Sequence, residues 1–331
     1  MVLATRFTEM FGLSAPIMSA PMVMHSGGTL AGAVSAAGGL GSFGGLHQNH
    51  GPEWVGDQMA RARETTDRCI AIGFITPFLD MTEPFFAAAL EARPEAVCFS
   101  FGDPAPWADR ARDAGAKVIC QVQNRDTAAM AVSAGADVLI AQGTEAGGHT
   151  GEMSLLPFLA SLVERFPDVP VLAAGGIADG RSLAAVLIAG ADGAMLGTAF
   201  LATPEAVEVD SAYKQLIVDS DGHDTVLTHA YDIVSGRPWP SFVSDRVRKN
   251  RFTAEWAGRD EELRARRDEV ARRPAASEHP DPDTDAIRYG QSAAFVHDIH
   301  PAEDVIRTIV QDATAVLSSR PLALGLHPPA T

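Results

Sequence analysis

Two hydrophobic patterns alternate along the first two thirds of the chain. Short, continuous apolar runs end in Gly, Pro or Ser, and between them lie amphipathic stretches rich in Ala, Glu and Arg. The runs are Ala15–Ala20, Gly39–Gly44, Ile70–Thr76, Ala96–Gly102, Lys117–Val122, Val138–Gly143, Val171–Gly176 and Ala194–Thr198. None shows the apolar–polar alternation of a half-exposed strand. Each therefore reads as a strand buried on both faces, as in a parallel sheet. Between them, Asp126–Ala134 spaces its apolar residues for one helical face. Asp179–Ala189 follows a Gly-Gly turn and starts on an acidic residue that suits the helix dipole. Eight β–α repeats joined by right-handed crossovers predict an α/β fold of the closed (β/α)8 TIM-barrel type, which takes about 250 residues. An open, doubly wound sheet is the alternative.

The pattern changes near residue 220. Asp219–Asp224 is polar, and after it come Ser235–Pro240 (SGRPWP), a charged helix-like stretch at Arg259–Arg273 and a Pro/Asp-rich segment at Ala275–Asp285. None of this repeats the βα unit. Helical periodicity returns over Pro301–Leu317, through Val305, Ile306, Ile309, Val310 and Val316. The expected organisation is a barrel over residues 1–222 and 290–331, with a smaller helical lid subdomain, 223–289, inserted before the C-terminal helix.

Composition narrows the function. Of 331 residues, 46% are hydrophobic and 21% charged, the balance of a globular chain with a sizeable core. Lys+Arg 26 against Asp+Glu 42 leaves a net charge of −16, which argues against nucleic-acid binding and against anionic membrane surfaces. No apolar stretch reaches the roughly 18 residues a membrane helix needs, and no leader pattern opens the chain. Cys69, Cys98 and Cys120 are scattered, with no CxxC pair. The expectation is a reduced cytoplasmic protein with no disulfide framework. The sequence leaves room for a homo-oligomer.

In a barrel, chemistry collects at the C-terminal strand ends, and the loops after strands seven and eight often bind phosphate. The seventh run ends in Ala173–Gly180 (AAGGIADG) and the eighth in Met195–Thr198 (MLGT). Gly175, Gly176, Gly197 and Thr198 therefore predict a phosphate cradle of backbone N–H groups and one hydroxyl. Tight turns alone would also call for these glycines. The sixth run leads into Gln142–Glu152 (QGTEAGGHTGE), a glycine-rich loop carrying His149, a candidate general base or acid. A solvent-facing loop histidine is the plainer reading. His25, His47 and His50 also fall in loops that follow the first two strands. No HExxH, GxSxG or paired-carboxylate pattern is present, so no metal site and no serine hydrolase is expected.

Taken together, Pro16–Met22 (PIMSAPM), Gly38–Gly44, Gln142–Gly151, Ala174–Gly180, Leu196–Thr203, Ser235–Pro238 and Gly290–Ser292 resemble the nitronate monooxygenases, once called 2-nitropropane dioxygenases. The resemblance implies FMN in a TIM barrel with a smaller domain over the mouth. It implies that Gly176 and Met195, Leu196, Gly197 and Thr198 hold the phosphate. By the same resemblance, Gln142, Gly147 and Gly148 line the ring system, Ala20, Pro21 and Met22 lie beneath it, and His149 matches the catalytic histidine. The chain departs from the family at Gly73, where an Asn is usual, and at Gln121, where some relatives carry a Lys. These two positions also belong to the expected flavin contacts.

The activity so implied is oxidation of a nitronate or nitroalkane by FMN and O2, giving a carbonyl compound and nitrite. Enoyl carrier-protein reductases share the EAGGH and AGGIADG features, so NAD(P)H-dependent reduction of quinones or enoyl thioesters is the alternative. A non-catalytic phosphate-binding barrel stands behind both. A barrel of the inosine-phosphate dehydrogenase type is disfavoured because no Cys lies after the sixth strand.

Overall fold

The computed structural model describes residues 3–271 and 281–325. All eight apolar runs form parallel strands. They are β1 (Ile17–Ser19), β2 (Gly41–Gly44), β3 (Ile70–Ile75), β4 (Ala96–Ser100), β5 (Lys117–Val122), β6 (Val138–Gln142), β8 (Val171–Ala174) and β9 (Gly193–Leu196), with β7 (Gly148–Thr150) outside the barrel. The order around the sheet is β1-β9-β8-β6-β5-β4-β3-β2. A bridge between Met18 and Leu40 brings β1 back beside β2, with Leu40 N donating to Ile17 O at 2.9 Å and Ser19 N to Leu40 O at 3.1 Å. The ring is thus a barrel, and the open sheet is excluded.

Alternate residues on each strand enter two separate cores. Met18, Ala71, Cys98, Ile119, Ile140, Leu172 and Met195 fill the interior. Ile17, Ile72, Val97, Val118, Leu139, Val171 and Leu196 face the helices. A short N-terminal helix, Arg6–Phe11, drives Phe7 and Phe11 into the interior cluster and so plugs the barrel at the end opposite the strand C-termini. Thr5 caps it and Gly12 ends it at φ +64°. The helices Arg125–Ser133 and Gly180–Ile188 match expectation within a residue, each opened by a reciprocal capping box, from Asn124 and Asp179. The C-terminal helix, Ala302–Ala323, packs against Gly180–Ile188. Among the described residues, no helix is long and apolar enough to cross a membrane.

The segment between β9 and the last helix holds more than helices. Strands β10 (Thr225–Thr228) and β11 (Ser244–Arg248) form an antiparallel sheet whose third member is β7. The His149 stretch, expected as a loop, is therefore a strand, with His149 directly opposite Asp245. Beyond it, helices Arg251–Trp256, Asp260–Ala265 and Arg267–Ala271 close a small core of Ala230, Phe252, Trp256, Leu263 and Val270. Within the expected helix-like stretch, residues 272 and 273 lie outside the described residues. So does most of the Pro/Asp-rich segment, 275–280.

Candidate active site

The C-terminal strand ends and the inserted sheet enclose a cavity of about 260 Å³. Ala20, Pro21 and Met22, just past β1, form one wall. Gly73, Gln121 and Gln142 reach it from β3, β5 and β6. Gly147, Gly148 and His149 come from the loop and strand that follow β6. Gly175, Met195, Gly197 and Thr198 supply the end expected to take phosphate. The fold thus gathers residues from positions 20 to 198 into one mouth.

Two expected cofactor residues do not line it. Leu196 points outward into the helix layer, because alternation along β9 sends Met195 inward and Leu196 away. Its carbonyl instead accepts from Ala20 N at 2.8 Å. Gly176, at φ +72°, turns towards the Glu145 side chain, leaving Gly175, at φ +100°, as the glycine on the cavity. Of the loop histidines, His25 lines the cavity. His47 and His50 pack on each other, ring centroids 4.5 Å apart, away from it.

His149 sits in a fixed cage. Its Nε2 lies 3.0 Å from each carboxylate oxygen of Asp232. The Trp239 indole stacks on the imidazole, with centroids 3.6 Å apart and planes 14° from parallel. The His149 side chain is 12% exposed. Gln142 Nε2 donates to the His149 carbonyl at 2.9 Å, and Gln142 Oε1 accepts from Gln123 Nε2 at 3.0 Å, so the amide cannot turn freely. Arg246 of β11 donates twice to the Thr144 carbonyl, at 2.9 and 2.7 Å, anchoring the loop before His149. An ionised carboxylate only accepts, so Nε2 carries the proton towards Asp232 and neutral His149 keeps its lone pair on Nδ1. The arrangement can orient a base.

Asp245, fully buried opposite His149, is neutralised by Arg288, whose guanidinium lies 2.8 Å away. Burial disfavours the Arg288 charge, but the Asp245 carboxylate overcomes this and holds the guanidinium above its ordinary range. Burial also raises Tyr213, whose hydroxyl donates to the Arg288 carbonyl at 2.7 Å, and lowers the imidazole of His25. No metal-ligand spacing is visible in the sequence, yet His149, Asp232 and Asp245 bring ligand atoms within 4.8 Å of one another. Arg288 already supplies the cationic partner there.

The donor set fits a phosphorylated flavin. Among the described residues that line the cavity, His25, His149, Arg237 and Arg288 are basic and none is Asp or Glu, in a chain of net charge −16. A phosphate entering this mouth meets no carboxylate. The Thr198 hydroxyl oxygen accepts from Gly290 N at 2.9 Å, leaving its proton for another acceptor. Ala20, Met22, Ala174 and Met195 give an apolar surface for a flat ring system, and Gln121 gives an amide edge. The Trp239 Nε1, buried at the same cavity, has no hydrogen-bond partner among the described residues. The Gly73 departure has a steric reason: a Cβ there would run into Cβ and Cγ of Pro21, so the proline ring fills the space an Asn side chain would need.

Sequence reasoning missed Asp232, Trp239, Asp245 and Arg288. Trp239 and Arg237 lie within the SGRPWP stretch already singled out. Asp232, three residues before it, and Asp245 show no local signal, because only tertiary contacts set them beside His149: the β7–β11 pairing for Asp245 and a side-chain hydrogen bond for Asp232.

The chain is similar to known proteins along most of its length. The sequence model of the nitronate monooxygenase family matches residues 86–312. A nitronate monooxygenase of Pseudomonas aeruginosa is 33% identical over 283 residues, covering 71% of this chain and 80% of that protein. The solved structure of FabK from Thermotoga maritima superposes with a TM-score of 0.84 at 30% identity, covering 97% of this chain and all of that one. A nitroalkane oxidase from Streptomyces ansochromogenes superposes with a TM-score of 0.76 at 27% identity, covering 95% and 99%. With a family model spanning well over half of its residues and a curated relative above 30% identity, this chain is an oxidoreductase of the nitronate monooxygenase family.

Proposed function

We propose that the protein oxidises alkyl nitronates, with FMN seated in the barrel mouth and O2 as final acceptor, giving a carbonyl compound and nitrite. The observation that carries this reading is His149, held at the cavity by Asp232 and Trp239 and almost closed off from water. When bound, FMN supplies the electron acceptor that the chain's own residues lack.

The chain's residues divide the remaining work. Gly175, Gly197 and Thr198 offer backbone donors and a hydroxyl to the phosphate. Ala20, Pro21, Met22 and Met195 support the ring faces, while Gln121, Gly147 and Gly148 border its edge. His149 Nδ1 takes the α-proton of a neutral nitroalkane, and the Asp232 carboxylate stabilises the imidazolium that results. A substrate that arrives already as a nitronate needs no base, and the basic lining then serves to hold its negative charge. Trp239 covers one face of the imidazole and keeps water from it.

The extent of the likeness to FabK supports a second reading, NAD(P)H-dependent reduction of quinones or enoyl thioesters by the same flavin. One experiment separates the two. The flavin-loaded protein is mixed anaerobically with a nitronate and, separately, with NADH or NADPH. Bleaching by the nitronate is expected. Bleaching by the nicotinamide alone overturns nitronate oxidation in favour of the reductase, and a protein that stays colourless after reconstitution overturns both.

A further inference from the structure

A second constellation lies on the outer side of the inserted sheet, away from the barrel mouth. Ser244 Oγ is 3.0 Å from His229 Nε2, and His229 Nδ1 is 2.9 Å from Asp260 Oδ2. The three residues come from three elements: Ser244 opens β11, His229 follows β10, and Asp260 opens the helix Asp260–Ala265. All three line one open cleft of about 570 Å³, which contains none of the residues of the barrel cavity. Side chains alternate along β11, so Asp245 turns inward to Arg288 while its neighbour Ser244 turns out to this cleft.

The order of contacts is that of an activated nucleophile: hydroxyl, imidazole, carboxylate, each within hydrogen-bond reach of the next. An ionised Asp260 accepts the Nδ1 proton and so fixes the tautomer in which Nε2 bears the lone pair facing the serine. With side-chain exposures of 40% for His229 and 27% for Asp260, the relay is open to an incoming reagent. The rim carries Asp260, Glu261 and Glu262, and the Arg259 guanidinium is already spent on Glu262 at 2.6 Å. The cleft therefore repels anions and admits neutral or cationic compounds. Leu227, 36% exposed, gives it an apolar side.

We propose that Ser244, His229 and Asp260 form a second reactive site whose substrates are small neutral or cationic esters. Ser244 Oγ attacks the ester carbonyl carbon while His229 Nε2 takes the hydroxyl proton. The C–O bond to the leaving alcohol then breaks, and that alcohol leaves with the proton from His229. Water, deprotonated by the same imidazole, hydrolyses the acyl-serine to the acid and regenerates Ser244. No oxidant or reductant takes part, so the site works independently of the flavin. The relay activates the nucleophile; stabilising the oxyanion is separate work. Stoichiometric acylation with slow turnover is therefore expected.

The test treats the flavin-loaded protein with a fluorophosphonate probe and locates the adduct by peptide mass spectrometry. A single adduct on Ser244 is expected, absent from Ser244→Ala. Labelling of His229→Ala should be slower by about 100-fold or more, the lower reach of general-base assistance. Release of p-nitrophenol from p-nitrophenyl acetate should show a burst of one equivalent in the parent and none in Ser244→Ala. Ser244→Ala should retain its flavin and its thermal transition, which separates loss of the nucleophile from loss of the fold. No adduct at Ser244, or an adduct formed equally fast in His229→Ala, overturns the proposal. A third variant, Asp260→Asn, should label more slowly than the parent; parent-like labelling removes the carboxylate from the relay and overturns the triad.

Discussion

His149 Nε2 lies equidistant from both carboxylate oxygens of Asp232, 3.0 Å from each, although 83 residues separate the two in the chain. That contact decides which ring nitrogen can act as a base. The carboxylate has no proton to give, so the imidazole gives its own and keeps Nδ1 free. An amide in place of Asp232 can donate to Nε2 and push the proton to Nδ1. For Asp232→Asn, turnover of a neutral nitroalkane is expected to fall about 10²–10⁴-fold, the range for losing a general base. Turnover of the preformed nitronate should fall far less, and Asp232→Glu should restore part of the loss. Steady-state kinetics on both substrates, with flavin content measured in parallel, checks this. An equal loss on the two substrates means that Asp232 serves the fold and does not position a base.

Substitution His149→Ala tests the base itself. The same split is expected, with the neutral nitroalkane losing about 10²–10⁴-fold and the nitronate largely spared. Unchanged turnover of the nitroalkane would remove His149 from proton abstraction.

The Gly73–Pro21 contact fixes what position 73 can hold. A Cβ has no room there unless the Pro21 ring moves. Gly73→Asn, which restores the residue usual in the family, is expected to cost about 1–3 kcal/mol through overpacking and to weaken flavin retention. The combination of Gly73→Asn with Pro21→Ala should recover much of that stability. Chemical denaturation and the flavin content of the purified variants read both effects.

Burial lowers the His25 imidazole below its ordinary value of 6.5. Between those two values the unfolded chain takes up a proton that the folded chain refuses, so stability rises with pH across that window. Above pH 6.5 this group contributes no slope. Wild type should therefore lose thermal stability more steeply than His25→Gln as pH falls below about 6.5, and the two melting curves should run parallel above it. Parallel behaviour throughout would mean that His25 takes up its proton in the folded state as readily as in the unfolded one.

Asp245 and Arg288 form a pair with one member fully buried. Asp245→Ala leaves the guanidinium without its counter-charge and is expected to cost about 3–5 kcal/mol. Asp245→Ala combined with Arg288→Met should be more stable than Asp245→Ala alone, because no unpaired charge remains. Urea denaturation of the two variants measures the difference.

The barrel was legible in the chain because each strand is local and apolar on both sides. Runs such as Lys117–Val122 and Val138–Gln142 need no distant partner to declare themselves. Glycines 175 and 197, Thr198 and His149 were legible for a related reason. In this fold, position along the chain sets position at the mouth, because each lies just past the end of a strand. What stayed hidden depends on contacts between distant segments. Asp245, far along the chain, pairs opposite His149, and contacts made equally far away in sequence bring the Asp232 carboxylate and the Trp239 indole to the imidazole and Arg288 to Asp245. The inward or outward turn of Met195 and Leu196 was set by register in the closed ring, which a run of four buried residues does not encode. Local periodicity thus determined the architecture and the address of the site. Tertiary structure decided which side chains surround the imidazole, because hydrogen-bond and charge partners act through distances that sequence separation does not record.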